Sequence, residues 1–123
     1  LIVGLDLLNY EFSGFEGPVD NPPIVNAVKA GQKVPIKFQL ADGLGLDVLF
    51  GTPTEAQFTC TGGALADPDD ATTPGSSGLQ QDPLTGVYTY VWKTDKQWGN
   101  QCRTFEITFD DGTYRQALFS FTK

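Results

Sequence analysis

The chain has 123 residues, 40% of them apolar, with 14 Gly, 8 Pro and a formal net charge of −7. That suits one turn-rich globular domain. The acidic balance disfavours nucleic acid, because phosphate backbones repel it. His is absent, which removes Ser-His, Cys-His and zinc-His chemistry.

In chain order, residues 1–8 come first. Leu1, Val3, Leu5 and Leu7 share one face of an extended segment, while Gly4 and Asp6 take the other. The run is too short to span a bilayer and lacks the charged leader of a signal peptide. With no initial Met, the segment reads as the start of a mature or excised piece of a longer exported precursor. It forms an N-terminal extension, residues 1–9, to a domain of residues 10–123.

Residues 9–15 alternate Tyr10, Phe12 and Phe15 and predict a strand. Pro22 and Pro23 stop any ladder there. Residues 32–40 predict a strand with Val34, Ile36, Phe38 and Leu40 inward and Lys33, Lys37 and Gln39 toward water. Pro35 on the outward side suits an edge or a bulge. Residues 47–50 and 56–60 read as two short strands, and residues 61–78 as a long loop with almost nothing to bury.

Asp82-Pro83-Leu84-Thr85-Gly86 is a tight turn by composition. It launches the strongest strand, residues 87–94, with Tyr88, Tyr90 and Trp92 on one face. Residues 101–109 alternate Phe105, Ile107 and Phe109, Asp110-Asp111-Gly112 signals a hairpin, and residues 114–122 return with Ala117, Phe119 and Phe121 in register. Seven to eight strands at this spacing predict an all-β, immunoglobulin-like antiparallel sandwich. Val34, Ile36, Phe38, Phe105, Ile107, Phe119 and Phe121 are its expected core.

Cys60 and Cys102 are the two cysteines. In an acidic, Gly-rich β chain they suggest one disulfide made in an oxidising compartment. The alternative is two buried free thiols. A bridge would close a loop of about forty residues and contribute about 3–4 kcal/mol in the chain-entropy description.

Three stretches carry a resemblance. Residues 15–23 (Phe-Glu-Gly-Pro-Val-Asp-Asn-Pro-Pro), 26–31 (Asn-Ala-Val-Lys-Ala-Gly) and 34–38 (Val-Pro-Ile-Lys-Phe) look like the start of the bacterial PxKF domain family. Residues 87–96 with Trp98 resemble its central signature. Cys102-Arg103, Asp111-Gly112-Thr113 and residues 119–123 resemble its end. The likeness covers nearly everything from Tyr10 onward. It implies an extracellular or cell-surface module near the C-terminus of a large bacterial protein, beside other domains or subunits, and it carries no catalytic motif.

Three constellations remain. Tyr88, Tyr90, Trp92 and Trp98 would suit sugar stacking, with flat rings against pyranose faces. The competing reading puts the first three in the core, which leaves the exposure of Trp98 decisive. Asp67, Asp69 and Asp70 would suit calcium, which takes several oxygens. Plain solvated charge explains them as well, so no cofactor is expected unless calcium binds. The strand of Leu1, Val3, Leu5 and Leu7 would either complete its own sheet or insert into a neighbour. The functional expectation is a non-catalytic extracellular module for structural support, adhesion or assembly. The alternatives are a carbohydrate-binding module and a subunit of an extracellular filament linked by its N-terminal strand. Polysaccharide is a possible partner under the first alternative, and neither nucleic acid nor membrane insertion is expected.

Overall fold

The computed structural model describes residues 10–41, 44–61 and 68–123. The N-terminal strand residues Leu1, Val3, Leu5 and Leu7, and Asp67 of the acidic loop, lie outside them. Nine strands form among the described residues: β1 (Phe15–Glu16), β2 (Val25–Lys29), β3 (Lys33–Phe38), β4 (Thr54–Phe58), β5 (Asp69–Asp70), β6 (Leu79–Gln81), β7 (Tyr88–Lys93), β8 (Cys102–Thr108) and β9 (Tyr114–Thr122). They make an all-β sandwich of two sheets, ordered β1-β3-β7-β6 and β2-β9-β8-β4-β5.

Period-2 patterning explains the long strands. Val34, Ile36 and Phe38 on β3 stand opposite Trp92, Tyr90 and Tyr88 on β7. Phe105 and Ile107 on β8 stand opposite Ala117 and Arg115 on β9. The seven expected core residues are all at most 3% exposed. β3, β7, β8 and β9 each turn one face inward, and that face is the apolar one.

Rings dominate the space between the sheets. Trp92 lies 5.1 Å from both Phe105 and Phe119 and 5.8 Å from Phe121. A second cluster gathers on Phe38, which stacks on Tyr88 at 5.2 Å and meets Phe109 at 5.5 Å. Phe12 joins it from the entering chain.

The two ends of the sandwich organise the rest. The end where β2, β4, β7 and β9 finish is called upper here, and the end where β3 and β8 finish is called lower.

Several expected elements differ. Tyr10, Phe12 and Phe15 do reach the core, but only Phe15–Glu16 of that stretch pairs as a strand. Residues 46–48 turn, and Leu49 makes one isolated bridge to Phe109 in place of a strand over 47–50. The long loop is not empty of structure: Asp69–Asp70 adds an edge to β4, and Ala71 and Thr73 are buried. The sandwich is not wholly antiparallel, since β2 runs parallel to β9. Sequence reading passed over β2 because its inward positions are Asn26 and Val28, so the alternation lacks a clean apolar face.

Asn26 occupies that inward place because its amide is fully used. Its Oδ1 accepts from the Asp20 amide at 2.8 Å, and its Nδ2 donates to the Asp20 and Leu118 carbonyls at 3.1 and 3.0 Å. Asn21 repeats the arrangement on Phe15, accepting from its amide at 2.8 Å and donating to its carbonyl at 3.0 Å. Each side chain acts as one residue's worth of β-ladder. Together they hold the proline-interrupted crossover of residues 17–24 between the two sheets. β3 is an interior strand and Pro35 stands opposite Val91 of β7, but on its other side β1 pairs only with Phe38 and Lys37, so no strand there calls for the missing N–H.

Phe119→Ala is expected to cost about 3–5 kcal/mol of unfolding free energy, as large aromatic truncations in cores do. Denaturant unfolding measures it. A loss below about 1 kcal/mol, the range of surface changes, would contradict the assigned core.

Candidate functional site

The upper end carries the densest constellation of chemistry-bearing side chains. Asp95 starts a single 3-10 turn, Lys96–Trp98, and its Oδ1 accepts from the Gln97 amide at 2.8 Å. The turn sets the Trp98 ring against the core, 5.8 Å from Trp92 and 5.5 Å from Phe121. The Arg103 guanidinium carbon lies 4.1 Å from the centre of the Trp98 ring, a cation–π contact.

Arg103 is engaged through all three of its nitrogens. Its Nη1 donates to Glu55 Oε1 at 2.6 Å, and its Nε and Nη2 donate to Gln101 Oε1 at 3.2 and 2.9 Å. The Glu55–Arg103 pair is 8% and 13% exposed. Glu55 faces inward opposite Phe105, so its charge depends on Arg103.

Beside this pair a surface pocket of about 560 Å³ opens between the end of β7 and residues 70–72. Trp92, Trp98, Glu55, Thr94 and Lys96 line it. It exists because β6 covers only the lower half of β7. Residues 71–73 cross that open side instead. Ala71 N donates to Pro53 O and Lys93 N donates to Thr72 O, both at 2.8 Å. The indole Nε1 of Trp92 is buried and has no acceptor among the described residues.

The structure buries three of the four rings of the expected aromatic platform. Tyr88, Tyr90 and Trp92 are core residues, because alternate positions of one strand share its inner face. The Tyr88 hydroxyl bonds to the Leu44 and Gly45 carbonyls and the Tyr90 hydroxyl to Ala71 O. Burial pushes both phenols up from their ordinary value. Trp98 is only half-buried, but the guanidinium lies over its ring. The four rings therefore do not make an exposed flat strip.

Of the acidic loop, Asp67 lies outside the described residues. Asp69 and Asp70 are adjacent on β5, so their side chains leave opposite faces of the strand. Among the described residues no group of three His, Cys, Asp or Glu side chains could hold a metal. Cys60 and Cys102 are joined, with an S–S distance of 2.02 Å. The bridge ties the chain leaving β4 to the start of the neighbouring β8, within one sheet. No family model matches the chain, and no curated protein matches it either.

The lower end holds a site that motif reading treated only as a turn. Asp111 Oδ2 accepts from the Tyr10 amide at 3.0 Å, and its Oδ1 accepts from the Thr113 amide at 2.9 Å and from the Thr113 hydroxyl. Burial raises the Asp111 carboxyl. The bonds from Thr113 and Tyr10, with the Arg115 charge, outweigh that and hold it below its ordinary value. The Tyr10 carbonyl in turn accepts from Ala41 N at 2.7 Å. The carboxylate thus anchors the entering chain to the last hairpin. Its signal in the sequence was Asp-x-Thr within the turn, while the Tyr10 contact spans the whole chain.

Two outcomes test this geometry. Arg103→Ala should destabilise the fold by about 3 kcal/mol, the low end for stranding one partner of a buried pair. The Glu55→Ala/Arg103→Ala double variant should lose less than the sum of the single changes. For Asp111 the folded value is lowered, so its stabilisation is complete above the ordinary carboxylate value of 3.8 and is lost as pH falls through the folded value. Asp111→Asn should therefore flatten the fall in stability as pH drops below the ordinary value of 3.8, read by urea unfolding at successively lower pH.

Proposed function

We propose that this chain is a non-catalytic extracellular module of a bacterial secreted or surface protein, serving structural support, adhesion or assembly. The observation that carries the reading is the upper end itself. Its Arg103 is spent on Glu55, Gln101 and Trp98, and Asp95 Oδ1 is spent on its own turn, so these groups hold the fold together. The Cys60–Cys102 bridge supports an oxidising compartment. The likeness of residues 15–38, 87–98 and 102–123 to the PxKF family supports a place beside other surface domains.

We also read the fold as immunoglobulin-like. The order β1-β3-β7-β6 corresponds to strands A-B-E-D, and β9-β8-β4 to G-F-C. The antibody-type bridge between the sheets is replaced by one within a sheet.

The filament reading is favoured over the carbohydrate one by where the chain enters. Tyr10 is tied to Ala41 and Asp111 at the lower end. Leu46, Phe50 and Leu84 are exposed there, Phe50 by 70% and Leu84 by 93%, so residues 1–9 join the domain where apolar surface awaits cover. Sedimentation of the full chain beside one lacking residues 1–9 tests this. Loss of polymers with retention of a folded monomer supports it. A full chain that is monomeric at high concentration, and unfolds on deletion, returns the segment to its own domain. A glycan-array screen with quenching of Trp98 fluorescence, absent in Trp98→Ala, would instead support carbohydrate binding.

A further inference from the structure

Charge is segregated along the long axis of the sandwich. At the upper end, Lys33 opens β3 directly opposite Lys93, the last residue of β7. Lys29 closes β2 opposite Thr122. Lys96 packs against the turn between β2 and β3, where a Cβ built on Gly31 would lie 2.9 Å from its own Cβ. All four lysines are exposed. The acids nearby are Asp95, whose Oδ1 is engaged by Gln97 N, Asp20 on the flanking crossover, and Asp70, which lines the surface pocket together with Lys93 and Lys96. Arg103 is neutralised by Glu55.

The lower end is the reverse. Asp110 and Asp111 lie in the last hairpin, and Val48 O accepts from Asp110 N, which brings Asp47 alongside. These three acids surround Tyr10. Asp82 stands in the neighbouring turn, its Oδ1 accepting from Leu84 N and Thr85 N. The base among them is Arg115, which lies over the Phe12 ring.

The lysine end is held at a cost. Residues directly opposite on paired strands have Cβ atoms about 4.5–5.5 Å apart, and like charges there repel. Among the described residues neither Lys33 nor Lys93 has an ion-pair partner. The faces around them offer Pro35, Thr89 and Val91, none of which is acidic. An acidic surface brought from outside would relieve that repulsion, and this chain carries one at its opposite end.

We propose that the lysine end of one copy docks on the aspartate end of the next. The inference deepens the assembly reading and rests on it. Opposite ends of one molecule meet without a two-fold axis, so the contact is heterologous and continues as a stack. Charge complementarity sets the orientation and speeds the encounter, and the exposed Leu46, Phe50 and Leu84 add apolar area at the same end.

The test uses the full chain and two charge-reversed variants, followed by sedimentation velocity. One is Lys33→Glu/Lys93→Glu. The other is Asp47→Lys/Asp110→Lys, which leaves the Asp82 and Asp111 side-chain bonds intact. The wild type should gain mass with concentration in low salt and fall to monomer in about 1 M salt, where screening acts over about 3 Å. Each variant alone should stay monomeric, with an unchanged near-ultraviolet spectrum showing that it is folded. Mixed one to one, they should associate again, since one then carries two acidic ends and the other two basic ends. A wild type that is monomeric in low salt overturns the proposal, as does a mixture that fails to associate. Polymers that survive both reversals and vanish only when residues 1–9 are removed overturn it while leaving the assembly reading standing. A monomeric wild type whose lysine end binds an acidic polysaccharide, and loses it in Lys33→Glu/Lys93→Glu, assigns that end to a glycan and overturns it too.

Discussion

The fold depends on the rings that converge on Trp92. This side chain stands on β7 in one sheet and is met by Phe105, Phe119 and Phe121 from β8 and β9 in the other. Fully burying a large aromatic is among the largest single contributions a small domain receives. The cluster sets how far apart the sheets sit and in what register, because a one-residue slip of β7 would turn Tyr88, Tyr90 and Trp92 to solvent together. It also explains the shape of the upper end. Trp98 completes the ring cluster from outside, Arg103 lies over Trp98, and Glu55 balances Arg103. The ion pair is therefore a consequence of the aromatic packing. The Trp92 indole N–H, which has no acceptor among the described residues, is a local cost that this packing outweighs.

A sandwich of short strands must also manage its edges. Here side-chain amides do much of it. Asn21 satisfies the amide and carbonyl of Phe15, and Asn26 those of Asp20, so a crossover containing Pro18, Pro22 and Pro23 still meets its hydrogen-bonding needs. On the other side, β5 places Asp69 and Asp70 along the exposed edge of β4, where charge discourages pairing with another chain. The open flank between β5 and β7 is crossed by residues 71–73. The pocket beside Trp98 is the gap left above that crossing.

The same topology distributes charge by end. The β3–β4, β6–β7 and β8–β9 connections fall below and carry Asp47, Asp82, Asp110 and Asp111, while Lys29, Lys33, Lys93 and Lys96 fall together above. An acidic protein thereby acquires a basic pole. Disulfide, aromatic core and carboxylate anchor all act to hold this shape, and exposed Leu46, Phe50 and Leu84 lie at its lower end.

The strong strands were legible in the sequence because two-residue periodicity is a local signal. Residues 34–38, 88–92, 105–109 and 117–121 announce their inner faces directly, and the Asp82 and Asp110 turns announce themselves by composition. The cysteine pair needed no geometry beyond its number. What the sequence left open was whatever depends on residues far apart in the chain. β2 was hidden because its inward Asn26 is satisfied only by Asp20 and Leu118. The strand at 69–70 exists only because β4 is there to receive it. Trp98 lies in a polar turn and read as a candidate platform, yet Arg103 and Phe121 claim its ring. Alternation reveals which face of a strand is buried, whereas only tertiary packing decides which polar groups find partners and which charges end up side by side.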